Sequence, residues 1–106
     1  MQVEVSIIPT PASGSLLGSE QVEGRLGRLT GWRVEGKELA RSYKFKNFLE
    51  AVSFVNAIAA IAESQDHHPD LLVRWGEVAV RVTTHSAGGL TAKDFELAAA
   101  IDQLRR

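Results

Sequence analysis

A chain of 106 residues has room for one modest hydrophobic core. Hydrophobic residues make up 44 % and charged residues 24 %, with both signs interspersed to a formal net charge of −1. This excludes a disordered chain and a nucleic-acid binder that works through a basic face, and the absence of cysteine excludes disulfides and thiolate metal sites.

In chain order, Val3, Val5 and Ile7 alternate with polar residues in the manner of a strand, and Pro9, Pro11, Ser13, Gly14 and Ser15 follow as a linker. Residues 1–15 therefore read as a flexible arm ahead of a domain over residues 16–106. Glu4, the lack of positive charge and the break at Pro9 are unlike a signal peptide or membrane span, so a cytoplasmic protein is expected. Ser19 is placed to cap a short helix in which Val22, Leu26 and Leu29 share a face, ending at Gly31. A strand begins at Trp32 and Val34, turns at Gly36-Lys37, and returns with Leu39, Tyr43 and Phe45 on one face. Arg41 is the exception on that face.

Asn47 and Glu50 have capping-box spacing, and the helix that follows runs to about Ser64. Phe48, Val52, Val55, Ile58, Ala59 and Ala62 make an apolar stripe, which Leu49, Phe54 and Ile61 widen past one face. So broad an apolar surface needs two partners, its own sheet and a second subunit, so a homodimer or homotetramer is expected. Pro69 disfavours helix at His68. Strands over Leu71 to Trp75 and Val78 to Thr84 follow, joined at Gly76, with Val78, Val80 and Val82 facing one way. After Ala87-Gly88-Gly89, Thr91 and Asp94 form another capping-box pair, and Phe95, Ala98, Ile101 and Leu104 line a closing helix. The order α-β-β-α-β-β-α predicts an α+β fold, with an antiparallel sheet and its helices packed on one face.

Three histidines, His67, His68 and His85, are the natural acid-base candidates, because imidazole alone has an unperturbed pKa near neutrality. Three histidines with a carboxylate also permit a zinc site, although adjacent histidines are awkward co-ligands and the helical His-x-x-x-His spacing is absent. Asp94 has a structural explanation as a cap residue, and Trp75 has one as core. Glu63, near a helix C-terminus, opposes the macrodipole.

Taken together the chain reads Glu63-x-x-x-His67-His68-Pro69, five residues, Trp75, nine residues, His85, eight residues, Asp94. This resembles the signature of the pterin-4a-carbinolamine dehydratases at every marked position. Gly31-Trp32, Tyr43-Lys44-Phe45, Thr84-His85 and Gly89-Leu90-Thr91 resemble the family too, and the similarity covers about Ser19 to Leu104. Leu71 stands where many members carry an aromatic residue, and Trp75 where tyrosine is common. The resemblance implies a four-stranded antiparallel sheet and dehydration of 4a-hydroxytetrahydrobiopterin to the quinonoid dihydropterin, with no metal and no organic cofactor. It implies His67 and His85 as the acid-base pair and His68 as a pterin-binding residue, with Asp94 orienting an imidazole. Glu63 or Asp66 would support the site, backbone groups near Thr84 would bind the pterin edge, and Trp75 would wall the pocket. The expected partners are a pterin and further copies of the chain, not nucleic acid or membrane. The same fold also serves as a protein-interaction or assembly factor, which is the competing reading.

Overall fold

The computed structural model describes residues 14–105. The arm expected at the N-terminus lies, except for Gly14 and Ser15, outside them. Three helices, α1 (Ser19–Leu26), α2 (Phe48–Gln65) and α3 (Ala92–Gln103), accompany four strands. These are β1 (Arg33–Glu35), β2 (Glu38–Lys44), β3 (Asp70–Arg74) and β4 (Glu77–Val82). A 3-10 turn at His85–Ala87 sits between β4 and α3. The strands form one antiparallel sheet in the order β1-β2-β4-β3, so the expected α+β architecture is what the chain adopts.

The core lies between one face of this sheet and the helices. Val78, Val80 and Val82 of β4 are fully buried, as alternation predicts, each contributing about 1.5–3 kcal/mol by leaving water. They meet Leu39 and Tyr43 of β2, Phe54 and Ile58 of α2, and Leu97 and Ile101 of α3. The other sheet face carries charge: Arg81 pairs with Glu35 and Glu38, and Arg33 also pairs with Glu35. Arg33 and then Arg81 hold the Glu35 carboxyl below its ordinary range.

Several local expectations shift. Gly18, not Ser19, precedes α1; Ser19 is the first helical residue, and Gln21 Oε1 accepts the Gly18 N–H at 2.8 Å. The second hairpin turns at Trp75-Gly76, which moves Trp75 out of the strand. In α2 the buried face is Ala51, Phe54, Ile58 and Ala62, whereas Phe48 is 51 % and Leu49 75 % exposed. The helix is thus rotated relative to the expected stripe, because Phe54 fills the space between Tyr43 and Phe45. Asn47 Oδ1 accepts the Glu50 N–H at 2.9 Å, but Glu50 reaches back to the N–H of Lys46 rather than of Asn47.

Arg41 also finds its reason. Its guanidinium donates to Asp102 Oδ1 at 3.0 Å and to the Thr30 carbonyl at 2.8 Å, and lies over the Tyr43 ring. The Trp32 indole and the Tyr43 hydroxyl donate to the same Asp102 oxygen. Gly31 is required beside this cluster: its φ is +94°, and a Cβ there would lie 2.8 Å from the Arg41 guanidinium carbon.

Candidate active site

The end of α2 sets the position of His67. Asp66 adopts a left-handed conformation (φ 52°), its N–H bonds to the Glu63 carbonyl, and the His67 N–H bonds to the Ala62 carbonyl at 3.1 Å. This is a Schellman ending, usually built on glycine, which aspartate tolerates better than most residues. The chain reverses within one residue, and His67 points back toward the start of α3.

There its Nε2 lies 2.6 Å from Asp94 Oδ1. Asp94 is completely buried, and the His67 side chain is 10 % exposed. The other carboxylate oxygen is already occupied: Asp94 Oδ2 accepts the Thr91 N–H and the Thr84 hydroxyl, each at 2.8 Å. Thr91 Oγ1 in turn accepts the Lys93 N–H at 3.2 Å, so Asp94 completes a capping box and faces an imidazole at once. A carboxylate with two donors on one oxygen acts as acceptor toward its third partner. Neutral His67 therefore carries its hydrogen on Nε2 and leaves the Nδ1 lone pair free to take a proton.

His68 points elsewhere. Its Nε2 pairs with Glu63, one turn back on α2, and both side chains are more than half exposed. His85 heads the 3-10 turn just past β4 and is exposed. Beside it opens a hollow of about 540 Å³, walled by Lys37 and Glu38 of the first hairpin, Thr83, and Gly88-Gly89. The Thr83 hydroxyl donates to the Lys37 carbonyl at 2.6 Å and fixes that wall. Lys37 and Glu38 were missed from sequence. Their turn is legible, but nothing local shows that β2 pairs with β4 and brings it beside His85.

The fold thus gathers His67, Asp94 and Thr84 in one bonded group, sets His85 next along the chain from Thr84, and ties His68 to Glu63. Three further residues singled out in the sequence stand apart from this bonded group or enter it differently from the histidines. Trp75 sits in the hairpin turn that follows β3, 70 % exposed, with the whole of that strand between it and the His67-His68-Pro69 segment in the chain. At Thr84 itself the N–H bonds to the Gly89 carbonyl, and the carbonyl receives the N–H groups of Ala87, Gly88 and Gly89. Asp66 contributes its backbone shape, and no hydrogen bond among the described residues ties its carboxylate to a histidine. Among the described residues, no three His, Asp or Glu side chains come together in the manner of a metal site.

The sequence profile described as pterin 4 alpha carbinolamine dehydratase matches residues 15–104. The chain belongs to this family. A relative from Trichormus variabilis is 47 % identical over 89 residues, which span 84 % of this chain and 96 % of the relative. One from Sulfolobus acidocaldarius is 46 % identical over 89 residues, spanning 84 % and 98 %. Both are provisionally named pterin-4-alpha-carbinolamine dehydratase. A crystal structure of a transcriptional coactivator/pterin dehydratase from Brucella melitensis superposes with a TM-score of 0.79 at 34 % identity, covering 83 % of this chain and 96 % of that one. A pterin dehydratase-like protein identified as a RuBisCO assembly factor in the alpha-carboxysome superposes at 0.60 and 25 % identity, covering 70 % and 88 %.

Proposed function

We propose that this chain is an enzyme that removes water from 4a-hydroxytetrahydrobiopterin by histidine general acid-base catalysis, in cofactor recycling within the cytoplasm. The observation that carries the reading is the His67–Asp94 pair, which fixes one imidazole tautomer beside the residue that launches His85. In the reaction one imidazolium protonates the hydroxyl at C4a, the C4a–O bond breaks, and water leaves. A second imidazole takes the proton from N5, and the electrons of that N–H bond form the C4a=N5 double bond. His67, with Nδ1 free, suits the base role, and exposed His85 suits the acid. His68, supported by Glu63, helps hold the pterin, and the Lys37-Glu38 turn borders the ring's entry. No metal or organic cofactor takes part.

Stopped-flow absorbance on 4a-hydroxytetrahydropterin, with a chelator present, tests this. We expect dehydration faster than in buffer. A rate equal to buffer points instead to a role in protein interaction, which the exposed Phe48 and Leu49 on α2 also favour.

A further inference from the structure

We propose that Thr84 is the positioning residue that fixes His67 relative to His85. The inference rests on the dehydratase reading, in which these two histidines act as a pair. Thr84 is buried, with 5 % of its surface exposed, and each of its polar atoms is committed.

Its single hydroxyl hydrogen goes to Asp94 Oδ2, since Asp94 supplies only acceptors. Thr91 Oγ1 lies 2.8 Å from Thr84 Oγ1, so its own hydrogen must point at the Thr84 oxygen. The result is a directed chain, Thr91 O–H to Thr84 O–H to Asp94 Oδ2, in which each bond polarises the next. With Oδ2 held by this chain and by the Thr91 N–H, the carboxylate cannot rotate, and Oδ1 is presented to His67 alone. The main chain of Thr84 does the complementary task. Its carbonyl gathers the N–H groups of Ala87, Gly88 and Gly89, and its N–H bonds to Gly89, closing the turn on which His85 stands. Gly88 makes that closure possible with its φ of +79°. One residue therefore orients the first imidazole through its side chain and places the second through its backbone. The hydroxyl is the part that substitution can remove.

Thr84→Val keeps the shape and deletes the hydroxyl, whereas Thr84→Ser keeps the hydroxyl and deletes the methyl. The expected result is a kcat lower by about tenfold or more in Thr84→Val with KM within about twofold, since a slightly misplaced group is costly in rate. Thr84→Ser should stay within about threefold of the parent, by the same reasoning. In ¹⁵N spectra the neutral His67 imidazole should be the Nε2–H form in the parent and in Thr84→Ser, and a mixture of tautomers in Thr84→Val. Parent-like kcat and tautomer in folded Thr84→Val, or equal losses in the Ser and Val variants, overturn the proposal. Should Thr84→Val not fold, Thr84→Ala is compared with Thr84→Ser by the same criteria. If the parent shows no dehydratase activity, the functional reading fails, and the His67 tautomer still decides the role of the hydroxyl.

Discussion

Arg41, in the middle of β2, reaches Asp102 in the last turn of α3 across 61 positions of sequence. One oxygen of that carboxylate takes donors from Arg41, Trp32 and Tyr43, so it fastens the closing helix to the first hairpin. Asp102→Ala strands a guanidinium, a phenol and an indole together. Denaturant melts should show a loss of about 3 kcal/mol, from broken partly buried hydrogen bonds and an orphaned charge. Turnover of the folded fraction should be unchanged, because the histidines lie elsewhere.

The same cluster makes stability fall in alkali. Burial, reinforced by the neighbouring Asp102 carboxylate, pushes the Tyr43 hydroxyl well above its ordinary range. Above about pH 10 an unfolded tyrosine loses its proton while folded Tyr43 keeps it. The unfolded state then binds fewer protons, so stability declines as pH rises. Tyr43→Phe should flatten that decline between pH 9 and 12, read as melting temperature against pH with the parent as reference (about 10 being the free phenol value).

Asp94 caps a helix and faces an imidazole, and two substitutions separate these roles. Thr91→Ala should cost about 1 kcal/mol from the lost cap, with a modest effect on rate. Asp94→Asn retains acceptor capacity toward Thr91 and Thr84 but loses the charge opposite His67. We expect a fall in turnover of about a hundredfold, within the range set by general acid-base catalysis, at nearly parental stability. Thermal melts paired with turnover check both, and equal small activity losses return Asp94 to capping alone.

The histidines should divide by role. His67→Ala and His85→Ala each lower kcat, and the double variant is far less damaging than the product of the two, because groups acting as one unit are not additive. His68→Ala should mainly raise KM. Loss of turnover at saturating substrate in His68→Ala would reassign it to the chemistry.

Phe48 and Leu49 leave an apolar surface on α2, continuous with a hollow of about 510 Å³ that Phe45, Phe54 and Leu104 help to line. We expect a dimer or tetramer by light scattering at micromolar concentration, with Leu49→Glu shifting the population toward monomer. A monomeric parent contradicts this.

Much of the architecture was legible because periodicity and caps are local signals. Val78, Val80 and Val82 announce a half-buried strand, and Thr91 with Asp94 announces a helix start. What stayed hidden depends on pairing across the sheet. Arg41 looked anomalous until Asp102 arrived from the far end of the chain, and nothing local showed that the Thr84 backbone would close on Gly89. Trp75 shows the same limit: alternation put it on the strand, while the two-residue turn with Gly76 carried it to the tip. The histidine spacing was plain in sequence, but not which carboxylate each imidazole would meet.

Asp94 stands in the first turn of α3, and helix ends are where backbone structure opens first. Were that turn to fray, His67 would lose its orienting partner while the valines of β4 stayed packed. Heat inactivation would then precede global melting. The tightness of a single cap, rather than the strength of the core, would set the warmest conditions under which the site keeps its shape.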